Sequence, residues 1–452
     1  MIKETARGLA VHMLTRVEVE GAYANLLLQK NILRLKDSRD RQFVTLLVNG
    51  TLKHRLTLDY ALRRYLSKPM SSLPHEIRAI LRIGAFQVLF VDKVPPAVAI
   101  NESVELAKAF PKFTGLVNVV LRKVMEKEWD IPWPDSKREP VRYLSVRYSH
   151  PEWLIQRWLK RWGFEETEAL SQANNEPSPT WIRTNTLKIS REGLRDRLLA
   201  EGITVELGTR VPESLMIKDF GALERLESFC EGLFTVQDES SQLVAHIVDP
   251  KPGQSVLDAC SAPGGKSTHL AQIMQNEGEI LAFDVHEHKL ELIDQLAHKL
   301  GITIIQTQLG DARDLPGIRL ESQDRVLVDV PCSGLGVIRR KADLRWQKEE
   351  QDLKDLPLLQ FAILERAASC VKDGGALIYS TCTTEPEENF ELVKKFRSAH
   401  PEFEPVDLMD DLPFTLEEPR DIQQARKGML QLLPHRHGMD GFFLAKFRRR
   451  EV

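Results

Sequence analysis

Residues 255–270, SVLDACSAPGGKSTHL, read as a short strand, a tight glycine turn and the first turns of a helix. Val256 and Leu257 lead into Asp258, Pro263, Gly264 and Gly265 interrupt any helix there, and Lys266 to Met274 resume a helical apolar spacing through Leu270, Ile273 and Met274. Glycines at such a turn let a ligand approach bare backbone at a helix start. Three ligand classes compete for it. A P-loop requires a glycine five residues before Gly265-Lys266-Ser267, where this chain has Cys260. A dinucleotide fold would show G-x-G-x-x-G, which is absent. Asp258 at the strand end, with Asp284 about 20 residues past the turn and after the apolar strand Ile280–Phe283, fits the ribose of an adenosine-type ligand better.

Outward from this stretch, the period from Phe234 onward alternates apolar strands with helices, which predicts a parallel, doubly wound sheet. Strands are expected at 255–258, 280–283, 303–306, 326–329 and 376–380. Ligands in such sheets bind beyond the carboxyl ends of the strands. Asp258, Asp284, Asp311, Asp329 and Thr381-Cys382 all fall at or just past those ends, on one rim. Residues 233–452 are therefore expected to form one α/β domain. Residues 1–140 read as all-α: Ala6, Ala10, Leu14 and Val17 share a helix face, Ile77–Phe90 (IRAILRIGAFQVLF) gives another, and Pro95 and Pro96 break the run. A linker rich in Trp, Pro and charge, Glu128–Glu139, closes that region. Residues 141–232 are expected to be a small α/β module, with helices over 153–162 and 190–200 and strands at 181–184, 203–207 and 215–217. Arg183 and Asn185, in IRTNT, lie where they could face substrate, but a strand-end arginine is commoner as a surface salt-bridge partner, and that is the expectation.

The chain has 452 residues, more than one ordinary core accommodates, so two to three domains are expected at roughly 150 residues each. The start, Met1 to Thr5, lacks an apolar leader, and no apolar run approaches the ~20 residues of a membrane span, so a soluble, cytoplasmic protein with no membrane contact is expected. Five scattered cysteines with no CxxC pair argue against both a disulfide framework and a zinc site, and no metal is expected. The net charge of -3 conceals an asymmetry: +8 over residues 1–140, -1 over 141–232 and -10 over 233–452. A polyanion would be gripped mainly by the front of the chain.

Cys332, in DVPCSG, and Cys382, in YSTCTT, each follow a hydrophobic strand and are flanked by turn or hydroxyl residues. Both are expected to face the ligand crevice, where a thiolate can act as nucleophile. Cys230, Cys260 and Cys370 are read instead as small buried apolar residues.

These motifs carry a resemblance. DACSAPGGKS, DVPCSGLGVIRR, YSTCTTEPEEN and RHGMDGFFLAKF resemble the binding and catalytic motifs of the S-adenosylmethionine-dependent RNA cytosine-5 methyltransferases. DRQFVTLLVNGTLKHRLTLDY, LRIGAFQVLFVDKVPPAVAINESVELAK and GLVNVVLRK resemble the NusB-like RNA-binding fold, and the chain as a whole resembles the family members that act on 16S rRNA. One departure is Ala342 in RRKADLRW, where the family pattern has proline. The resemblance implies a Rossmann-like domain with a mostly parallel seven-stranded sheet, S-adenosyl-L-methionine as cofactor, 16S rRNA as partner and a monomer. It makes Cys382 the nucleophile on cytosine C6 and Cys332 the residue of product release. Asp329, if protonated, would hydrogen-bond cytosine N3, and it also belongs to the cofactor site. The turn Cys260, Ser261, Ala262, Pro263, Gly264, Gly265 and Lys266 would hold the methionine end, Asp284 the ribose hydroxyls and Asp311 the adenine amino group. Competing expectations are a C5-methyltransferase for 23S rRNA or tRNA and a non-catalytic RNA-binding assembly factor, against which both cysteines stand.

Overall fold

The computed structural model describes residues 5–127 and 130–451, so the linker expected at Glu128–Glu139 lies partly outside the described residues. The chain gathers into two compact units, one comprising the residues up to Pro177 together with Ile338–Lys348, the other Ser178–Val337 and Glu349–Val452.

The first unit is helical: α1 (Ala6–Glu20), α2 (Ala24–Ile32), α3 (Ser38–Lys53), α4 (Arg55–Arg63), α5 (His75–Phe90), α6 (Pro96–Ala107), α7 (Thr114–Lys127), α8 (Pro140–Tyr148), α9 (Glu152–Trp162) and α10 (Phe164–Ala173). Local chemistry sets the ends. Thr5 caps α1 by accepting from Gly8 N at 3.1 Å, Asp37 caps α3 by accepting from Arg39 N at 2.8 Å, and Pro96 opens α6. Val11, Leu14, Leu47, Val48, Ile80, Ile83, Val117 and Leu121 form its core at the 3.6-residue period expected.

The detached segment Ile338–Lys348 completes this unit. Asp343 accepts from Ala24 N at 3.0 Å and so caps α2, Trp346 Nε1 donates to Leu52 O at 2.8 Å, and Arg345 donates to Ser149 O at 3.0 Å and Asn175 Oδ1 at 2.9 Å. Ala342, the residue that departs from the family's proline, is buried in the helical core.

The second unit has two sheets. The smaller is antiparallel, in the order β2-β3-β1-β4, with β1 Thr180–Thr184, β2 Thr204–Leu207, β3 Ser214–Lys218 and β4 Phe234–Val236. Ser190 caps the helix Arg191–Ala200, whose Leu194 and Leu198 pack on Ile182, Leu215, Ile217 and Phe234.

The larger sheet contains β5 (Ser255–Asp258), β6 (Glu279–Asp284), β7 (Ile305–Leu309), β8 (Gln323–Asp329), β9 (Val371–Thr381), β10 (Phe403–Pro405), β11 (Met429–Leu432) and β12 (Phe442–Arg449). Seven run in the order β10-β12-β9-β8-β5-β6-β7, and β11 pairs beside β12. The stretch β9-β8-β5-β6-β7 is parallel, while β10, β11 and β12 are antiparallel. Alternate residues enter cores on opposite faces: Val256, Leu327 and Ile378 on one, Leu257, Val326, Val328, Leu377 and Tyr379 on the other. All five expected strands are present. β7 starts two residues later than expected, and β9 extends back to Val371 through Lys372 and Asp373, polar positions that an apolar count misses.

Candidate active site

The site is built on the carboxyl ends of the parallel strands. After β5 the chain turns through Cys260 to Gly264: Ser261 donates through both N and Oγ to Phe283 O at 2.8 Å, and Gly264 N returns to Ser261 O at 2.8 Å. Gly264 has φ +98, and a Cβ there would meet Ile293 Cα at 3.1 Å, so the turn depends on glycine. The helix Gly265–Ile273 then begins with its backbone bare, a cradle for a ligand.

Carboxylates ring this turn. Asp258 is wholly buried and accepts from Ser267 Oγ at 2.7 Å, with Oδ1 left unpartnered. Burial pushes its carboxyl up to about 7, and Asp329 adds to the shift. Cys260 is pushed up by burial first and then by Asp258, Asp329, Asp284 and Asp311, so all four carboxylates act on one point. Asp284 closes β6 and accepts from His286 N at 2.9 Å. Asp311 lies two residues past β7 and is held by Arg313, whose Nη2 is 2.5 Å from Oδ2. Asp284 and Asp311 are thus tied locally, whereas Lys266 and Asp329 meet directly, Nζ to Oδ2 at 2.6 Å. Burial alone would lower the Lys266 ammonium, but Asp329 and then Cys382 outweigh it and the net shift is upward.

The neighbouring strands β8 and β9 bring the two cysteines together. Parallel register sets Asp329 beside Ser380, whose Oγ donates to Asp329 Oδ1 at 2.7 Å. Three residues past β8 and one past β9, Cys332 Sγ and Cys382 Sγ lie 3.2 Å apart. The Cys332 thiol is driven up by its hydrogen bond with Cys382, by burial and by nearby Cys382, Glu388 and Asp329.

A buried network behind the thiols fixes both loops. Glu388 accepts from Ser333 N at 2.9 Å and Gln360 Nε2 at 2.8 Å, and Gln360 also donates to Pro331 O at 3.0 Å. Asn389 donates to Thr383 O at 3.0 Å and Gln431 Oε1 at 2.9 Å. Gly336 N donates to Cys382 O at 3.0 Å, and Gly441 N donates to Gly336 O at 2.9 Å. Sequence reading did not single out Glu388, Asn389, Gly336 or Gly441. The signal available was the place of Glu388, Asn389 and Gly336 within the same short motifs as the cysteines, and of Gly441 within RHGMDGFFLAKF.

Two expectations are corrected. Cys230, expected to be buried, is exposed at the end of the short helix Glu227–Cys230, where its Sγ donates to Glu224 O at 3.4 Å. Arg183 is no surface residue: it is 1% exposed and donates to Gly265 O at 2.6 Å, to Thr268 Oγ1 at 3.0 Å and to Gln237 Oε1. Burial lowers its guanidinium to about 9. Asn185 is buried too, donating to Gly232 O and Leu300 O at 2.9 Å each. Strand β1 therefore braces the cofactor-type turn from behind. Among the described residues one group has a metal-type donor set, Glu213, His246 and His269, with ligand atoms within 4.8 Å. There the carboxylate already bridges the two rings, accepting from His246 Nε2 at 3.0 Å and from His269 Nε2.

Comparison with known proteins agrees with this architecture. Residues 245–448 match the family model described as 16S rRNA methyltransferase RsmB/F, residues 4–126 the NusB family, and residues 150–224 the ferredoxin-like domain of RsmF/B-like methyltransferases. The chain is 40% identical over 457 residues to a Bacillus subtilis (strain 168) protein named "Probable ribosomal RNA small subunit methyltransferase B", covering 100% of each chain. It is 30% identical to the ribosomal RNA small subunit methyltransferase B of Pectobacterium carotovorum, covering 97% of each. The solved structure of PH0851 aligns over 99% of this chain and 100% of its own, at 29% identity and a TM-score of 0.81.

Proposed function

Because the chain belongs to the 16S rRNA methyltransferase RsmB/F family, we propose that it methylates C5 of a cytosine in 16S rRNA through a covalent adduct between Cys382 and C6. S-adenosyl-L-methionine, when bound, supplies an electrophilic methyl carbon on a sulfonium. The rim suits it: bare backbone at Gly264 and Gly265, and acceptors in Asp284 and Asp311 for hydroxyls and an amino group. The division of labour follows three regions, with residues 1–140 gripping RNA, the strands of 141–232 bracing the turn and 233–452 carrying the chemistry.

Addition of the Cys382 thiolate to C6 moves the C5–C6 π pair onto C5, and that pair forms the bond to the methyl carbon as the methyl's bond to sulfur breaks. When the C5 proton is then removed, the C5–H pair re-forms the C5–C6 double bond and the C6–S pair leaves with Cys382 as its thiolate. Cys332 serves this release, and Asp329 in its acid form gives up its present partners and donates to cytosine N3.

The observation that carries the reading is the meeting of the two thiols at the ends of neighbouring strands, Sγ to Sγ at 3.2 Å. Cys382 and the Lys266 ammonium also act on one another, and a neighbouring cation favours a thiolate.

The test is adduct trapping with RNA and labelled methyl donor. Cys382→Ala should bind cofactor yet form no adduct and transfer no methyl. Cys332→Ala should methylate and stall as a labelled, slow-migrating RNA–protein band on a denaturing gel, which the double variant loses. A stalled band from Cys382→Ala instead would reverse the roles.

A further inference from the structure

The helical unit contains a cavity of ≈ 420 Å³ that the proposed chemistry does not use. Its walls come from the start of α4, from α8 and α9, and from the segment Ile338–Lys348, all within that unit. Trp153 and Trp346 supply aromatic surface, and Arg55, Arg345 and Lys348 supply charge against one carboxylate, Glu152. Trp346 is held in place by its Nε1 bond to Leu52 O, and the Arg55 guanidinium lies 5.1 Å from the centre of its ring.

Arg345 gives this cavity its character. It is 0% exposed, and every acceptor of its guanidinium is neutral: the carbonyls of Lys53, Ser149, Asn174 and Ile338, and Asn175 Oδ1. Its Nε, also buried, has no partner. A buried cation without a counter-ion is costly, and its field is felt nearby: Lys53 is lowered to about 8 by burial and then by Arg345. Among the described residues no carboxylate pairs with Arg345, so a cation without a counter-ion lies beside two indoles, whereas Arg55 is 3.7 Å from Glu18.

An anion with a flat apolar face answers both features. We infer that this cavity takes one unpaired nucleotide of the RNA substrate, its base against Trp153 and Trp346 and its phosphate toward Arg55 and Lys348. The inference rests on the reading of the chain as an RNA enzyme, and adds a recognition point within the helical unit. The volume admits a single nucleotide.

The test uses the full chain and a fluorescent single-stranded RNA from the small subunit. Trp153→Ala should weaken binding roughly five- to hundredfold, the range of one stacked base. Lys348→Ala should reduce the salt slope by about 0.7, as one single-strand phosphate contact does. Adenosylhomocysteine binding, unchanged in both variants, verifies folding. RNA binding and salt slope equal to the parent in both would overturn the inference while leaving the RNA reading intact. A parent chain that binds no RNA would overturn the reading itself, and displacement by an acidic peptide but not by RNA would assign the cavity to a protein partner.

Discussion

At the scale of single residues, the site is controlled by close approach and by burial of charge. Gly336 and Gly441 cross so tightly that a Cβ on Gly336 would lie 2.0 Å from Gly441 O and 2.8 Å from Cys382 O. Gly336→Ala must therefore shift the Cys382 loop or the strand lead-in to β12. We expect a stability loss of about 1–3 kcal/mol together with loss of methyl transfer, checked by urea unfolding and a labelled-methyl assay. His54 makes a different residue-scale case. It stacks on Phe90 at 4.0 Å, and burial, with Arg345 and Lys53, lowers it from 6.5 to about 3. Between those values the unfolded chain binds a proton that the folded chain refuses, so stability falls as pH drops through that window. From pH 7 to pH 5 this single group contributes a loss of about 2 kcal/mol. His54→Phe should lessen the acid sensitivity of the urea midpoint by about that amount, and an unchanged difference between the two pH values would remove His54 from the account.

At the scale of elements, legibility followed periodicity. The strands β5, β6 and β8 were readable because Val256-Leu257, Ile280 to Phe283 and Val326 to Val328 are continuous apolar runs, as a strand covered on both faces requires. Their ends placed Asp258, Asp284 and Asp329 on one rim. What could not be read was pairing between distant segments. Nothing local in IRTNT announces that Arg183 will be buried against Gly265 and Thr268, because that contact needs two sheets to meet, and a surface expectation resulted. The hydrogen bonds from Gln360 to Pro331 O and Glu388 were hidden for the same reason, since Gln360 sits unremarked within the helix Asp352–Ala368. Asp284, at the end of β6, belongs to the readable class and yields an element-scale prediction. Asp284→Ala should weaken adenosylhomocysteine binding by tenfold or more in calorimetry, as loss of a charged hydrogen bond of about 1.5–3 kcal/mol implies. Binding at parental strength would take the ribose away from this strand end.

At the scale of the whole molecule, charge is distributed unevenly, +8 over residues 1–140 against -10 over 233–452. RNA affinity should fall with salt, and each phosphate contact removed should lower the slope by about 0.7. Arg34→Glu with Lys36→Glu, both exposed, is a gentler probe than deletion, since removing the helices would strip the cover from Ala342, Leu344 and Trp346. A slope identical to the parent's would assign RNA contact elsewhere in the chain. That the helical unit borrows Ile338–Lys348 has a further consequence, for biosynthesis. A ribosome that has finished Pro177 must still make residues 178–348 before Arg345, Trp346 and the cap Asp343 exist, a delay of about 9 to 35 s at roughly 5–20 residues per second. Through that interval the nascent helices wait with the slot for Trp346 unfilled and the amide of Ala24 uncapped. The first part of this protein to be translated is thus not the first part to be finished, and its N-terminal half made as a separate fragment would stay at that waiting stage.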